Sequence, residues 1–70
     1  MKVTIEGFIA READGEVWFH RELPVRFHED FITYWQSRGY RCKLDDAFAR
    51  TLGIQWCDSP RKVELTINEI

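Results

Sequence analysis

Two histidines and two cysteines are the residues of this 70-residue chain best suited to metal or thiol chemistry: His20, His28, Cys42 and Cys57. Zinc sites favour tight ligand pairs a few residues apart, because one turn or knuckle must aim both ligands at one ion. Here seven residues lie between the histidines and fourteen between the cysteines, so no metal is expected. A Cys–His nucleophile pair would need the fold to unite distant residues. Cys57 follows Trp56 in an apolar stretch and reads as an inert, packed thiol. The chain has no glycine-rich phosphate loop, no G-x-S-x-G and no H-E-x-x-H. No carboxylate pair has a catalytic spacing. The expectation is a non-enzyme without cofactor or metal.

Two charged groupings could instead bind a partner. Arg38, Tyr40, Arg41 and Lys43, with Arg61 and Lys62 in reach, alternate basic and aromatic character. Such a stretch can hold phosphates and stack bases, giving a small RNA- or DNA-binding module. The bland reading is a solvated loop beside a helix C-terminus, and the net charge of −2 favours it, since nucleic-acid binders carry a basic footprint. Glu6, Glu12, Asp14, Glu16 and Glu22, with Glu64 and Glu69, form an acidic set. It could compete for a basic surface on another protein, but its simpler use is to keep sheet edges soluble.

Composition sets the frame for these sites. The chain is 44% hydrophobic and 31% charged, which suits one globular domain spanning residues 1–70 and argues against disorder. Its longest apolar runs, Phe8-Ile9-Ala10 and Val17-Trp18-Phe19, are too short for a membrane span or a secretory h-region. Two cysteines are too few for a disulfide framework, so reduced thiols in the cytoplasm are expected, with a single Cys42–Cys57 bridge as the alternative.

The elements that would position the candidates follow from periodicity. Residues 2–25 read as a β-hairpin around Asp14-Gly15. A three-residue loop, Ala13-Asp14-Gly15, pairs Ile9 with Phe19, Ile5 with Leu23 and Val3 with Val25, which gathers one apolar face. Gly15 would then adopt the left-handed conformation of a bulge, and Gly7 marks a kink or a close approach. Residues 28–38 read as an amphipathic helix. At 100° per residue, Phe27, Phe31, Ile32, Tyr34 and Trp35 share one arc and the polar residues fill the other. A short helix over residues 46–52, capped by Asp45, and a one-sided strand over residues 62–68 complete the chain. Weaker strands are expected over residues 40–44 and 54–57. The fold class expected is α+β: an antiparallel sheet with both helices on one face. In that arrangement the far face of the hairpin carries Phe8, Ala10, Trp18 and His20, with Glu6 opposite Glu22. Phe8, Trp18 and His20, rimmed by Glu6 and Glu22, then form an exposed patch for docking a protein or a second copy of the chain. The alternative is that loops or a dimer partner bury it.

The opening residues Met1-Lys2-Val3-Thr4-Ile5-Glu6-Gly7-Phe8-Ile9 resemble the start of small accessory proteins of enterobacterial phages and prophages. The resemblance covers these nine residues and carries no functional residue. It implies a dispensable protein acting on a host factor, such as a component of defence or replication. Interaction without catalysis is thus the function expected, and no membrane partner.

Overall fold

The computed structural model describes residues 2–68. Among the described residues, six strands and one short helix run in the order β1 (Lys2–Arg11), β2 (Val17–His20), β3 (Val25–Glu29), β4 (Ile32–Gln36), β5 (Arg41–Lys43), α1 (Asp46–Ala49) and β6 (Arg61–Asn68). One antiparallel sheet has the order β5-β2-β1-β6, and β3 and β4 form a separate two-stranded unit. The fold is therefore mostly β, which corrects the α+β expectation.

The correction falls on residues 28–38. They form the second half of β3, a two-residue turn and β4, with Phe27 opposite Tyr34 and Glu29 opposite Ile32. The apolar arc that suggests a helix is made of Phe, Ile, Tyr and Trp, with Thr33 beside it. These are β-branched and aromatic types that lose rotamer freedom in a helix and fit a pleated surface instead. The turn residues Asp30 and Phe31 both have positive φ, 49° and 68°, the geometry of the hairpin turn that matches strand twist. Without a glycine at either position, the sequence carries no turn signal there.

The N-terminal hairpin forms as its loop chemistry dictates. Ile9 pairs with Phe19 and Ala10 with Trp18. Gly15 has φ 98°, and Glu12 N–H donates to Glu16 O across the loop at 2.7 Å. The pairing stops at Phe8–His20, so the expected Ile5–Leu23 and Val3–Val25 pairs do not form. Ile5 and Val3 pair instead with Leu65 and Ile67 of β6. Pro24 accounts for the break: continuing the register would place it opposite Thr4, where a ladder N–H is required and proline has none.

Ile9, Val17 and Phe19 form the core with Ala49 and Ile54. A Cβ on Gly7 would lie 2.4 Å from the Phe19 ring, so glycine there is what lets that ring close over the strand. The α1 helix is shorter than expected but starts as expected, with Phe48 N–H donating to the Asp45 carboxylate at 3.2 Å. Residues 54–57 do not form a strand. Arg11 closes this side: its guanidinium donates to the carbonyls of Ile54 (2.6 Å), Ala49 (2.8 Å) and Leu52 (3.2 Å), tying the helix end to the sheet.

Candidate protein-docking surface

The other face of the sheet carries the patch expected to dock a partner, and the β3–β4 unit largely occupies it. Trp35 is buried. Its indole N–H donates to Arg11 O at 3.0 Å, and its backbone N–H points at the Glu12 carboxylate. Burial, chiefly, raises the pKa of that carboxyl group. Ser37, just beyond β4, meets His20 Nδ1 at 2.7 Å. His20 is fully buried, its Nε2 has no hydrogen-bond partner among the described residues, and burial together with the Arg41 charge lowers its pKa. No partner protein can reach it. Phe8 and Trp18 are half-buried, and Arg41 lies over the Trp18 ring at 4.8 Å. Glu6 and Glu22 are exposed, but Glu6 pairs with Glu64 of β6 rather than facing Glu22. The hairpin expected to expose this face thus shares it with another part of the same chain.

The basic-aromatic stretch is split by its own contacts. Arg38 and Tyr40 are exposed. Arg41 stacks on Trp18, and Lys43 lies 3.3 Å from both Glu16 and Asp46. Hydrogen bonding to Asp46 and Glu16 raises the Lys43 pKa. Two of its three cations are therefore held by intramolecular partners. Cys42 is half-buried, Cys57 is exposed and both are free thiols. Among the described residues no group of three His, Cys, Asp or Glu could hold a metal ion, and no helix is long and apolar enough to cross a membrane. Glu69 of the acidic set lies outside the described residues.

The exposed apolar surface lies instead on the outward side of β3–β4. Strand alternation puts Val25, Phe27, Ile32 and Tyr34 on one face and Arg26, His28, Thr33 and Trp35 on the other. The second face is anchored to the body. Arg26 sits 4.5 Å from the Trp35 ring and 5.2 Å from the Trp56 ring, and donates to Trp56 O at 2.6 Å. With that side held, Leu23, Val25, Phe27 and Ile32 are exposed to solvent. The Phe27 and Tyr34 rings stack at 5.9 Å, presenting a continuous aromatic surface. At the base, Leu23, Val25 and Phe27 line an open groove of about 680 Å³ to which Glu22 and Arg38 add charge of both signs. At the tip, Phe31 is 99% exposed with its backbone in the left-handed region.

Of this surface the sequence points only to Glu22 and Arg38, each for a different site, because a helix would have turned Phe27, Phe31, Ile32 and Tyr34 inward. The available signal was the β-rich composition of residues 31–35. No family model, curated protein or solved structure matches the chain.

Proposed function

We propose that the protein is a non-enzymatic interaction module that docks an apolar surface of another protein on the outward face of β3–β4. The observation that carries this reading is Phe31. A non-glycine residue in the left-handed region costs of order 1–3 kcal/mol, and the Phe31 ring recovers none of it by packing, being 99% exposed. Strain of this kind persists where a side chain is wanted for something other than the fold. Phe27, Tyr34 and Ile32 extend the same face, and aromatic side chains are the usual anchors of protein interfaces. Two unlinked thiols suit a reducing compartment, in line with a cytoplasmic partner.

Phe31→Gly separates binding from folding. Glycine adopts the positive φ freely, so this variant should melt at or above the wild-type temperature. Immobilised wild-type protein should retain a stoichiometric protein partner in the presence of nuclease, and Phe31→Gly should lose it. Equal retention by both would remove the face from consideration.

A further inference from the structure

The outer edge of β6 is a second surface, independent of the hairpin. β6 pairs with β1 over eight consecutive positions, from Lys2–Asn68 to Ile9–Arg61, without a bulge, and among the described residues no strand lies on its other side. Proteins usually blunt such an edge with proline, a bulge, a cover or lysine. This strand has no proline, and its charges, Arg61, Lys62 and Glu64, all fall in its first half.

The backbone bonds determine which groups face that edge. Leu44 N–H donates to Val17 O and Arg21 N–H to Tyr40 O, so odd-numbered residues of β2 bond to β5 and even-numbered ones to β1. Glu12 N–H donating to Glu16 O extends the same even-to-even pattern along the β1–β2 ladder. The odd residues of β1 therefore bond to β6 through Arg61, Val63, Leu65 and Ile67. The N–H and C=O groups of Lys62, Glu64, Thr66 and Asn68 point outward.

We propose that β6 pairs antiparallel with β6 of a second copy, about a two-fold axis at Leu65, joining two four-stranded sheets into one. Such an axis keeps the same face of both sheets on the same side, so odd residues must oppose odd ones. Centred on Leu65, the pairing spans seven residues of β6, and centred on Val63 or Thr66 only five. Centred on Glu64, it would set Glu64 against Glu64, which like-charge repulsion disfavours. The Leu65 register opposes Lys62 to Asn68 and Glu64 to Thr66, with no like charges facing. These even pairs exchange backbone hydrogen bonds. The odd pairs, Val63 with Ile67 and Leu65 with Leu65, are the non-hydrogen-bonded kind, whose side chains approach closest. Ile67, 53% exposed in the single chain, gains an apolar neighbour in Val63 of the second copy. The contact is isologous and closes on itself, so it consumes the edge rather than propagating.

Sedimentation velocity on the full chain over a concentration series tests this. The wild type should form a dimer. Thr66→Pro should run at half that mass with an unchanged circular dichroism spectrum, because the N–H it removes faces the free edge and not β1. If proline unfolds the chain, the register is read by cross-linking instead, with Cys42 and Cys57 replaced by Ser. Leu65→Cys should then form a covalent dimer on mild oxidation, and Glu64→Cys should not. A wild type that stays monomeric throughout, a dimer that survives Thr66→Pro, or equal cross-linking through both cysteine variants would overturn the proposal.

Discussion

The four-stranded sheet and the β3–β4 hairpin use the same residue types in opposite ways. In the sheet, Phe19, Val17 and Ile9 are buried under α1 and Ile54, and the strands are held by apolar contact on that face. In the hairpin, Phe27, Ile32 and Phe31 face solvent, and attachment falls to Trp35, Arg26 and Ser37. The sheet would be a core in any small β domain. The hairpin is clipped on one side by an indole, a guanidinium and a hydroxyl, and its other side faces solvent. Aromatic side chains stabilise the fold in one region and are presented by it in the other.

The largest expected effect sharpens that contrast directly. Phe19→Ala should cost about 3–5 kcal/mol, as truncation of a buried aromatic does, which for so small a domain approaches complete unfolding. Phe27→Ala should cost well under about 1 kcal/mol beside it, because little packing is lost at an exposed site. Urea titrations of the two variants measure the difference, and similar losses would mean that the hairpin face is core after all.

The next effect concerns the clip. Arg26→Ala removes a cation lying over two indoles and its bond to Trp56 O. A loss of about 1 kcal/mol is expected, concentrated in the hairpin. Hydrogen exchange should accelerate at the β3–β4 amides and stay slow in β1 and β2. Uniform acceleration would show that the two regions unfold as one.

The third is a pH effect at their junction. His20 is buried beside Ser37 and its pKa lies below the ordinary histidine value. The unfolded chain therefore binds this proton more readily than the folded one. Stability is fully present above the unfolded pKa, near 6.5, and is lost as pH falls from there toward the folded value. Melting temperatures should drop over that interval in the wild type and stay flatter in His20→Gln. An unchanged slope in His20→Gln would place the titrating group elsewhere.

How much of this was legible depended on whether the decisive signal was local. Asp14-Gly15 specified the first turn and the Ile9–Phe19 register, Asp45 specified the start of α1, and the alternation of Val63, Leu65 and Ile67 specified β6. Each is a short-range pattern with one physical solution. The second hairpin was misread because residues 28–38 satisfy a helical period while consisting of β-forming side chains, and because Asp30-Phe31 is a turn that propensity disfavours. Arg26, Trp35 and Trp56 come together only through tertiary docking, so no spacing announces them. Phe8, Trp18 and His20 share one sheet face by strand alternation, but what covers that face is β3–β4, a segment whose apolar spacing is helical. The exposed aromatics of β3–β4 escaped notice for the same reason.

The central claim is that β3–β4 is built to present Phe31 and its neighbours to another protein. Its most direct test is the retention of a nuclease-resistant partner by wild-type protein and by Phe31→Gly at equal folded concentration, with both melting curves recorded. The account predicts that Phe31→Gly melts at or above the wild-type temperature and retains no partner. A variant that is more stable and still binds the same protein in the same amount would contradict it.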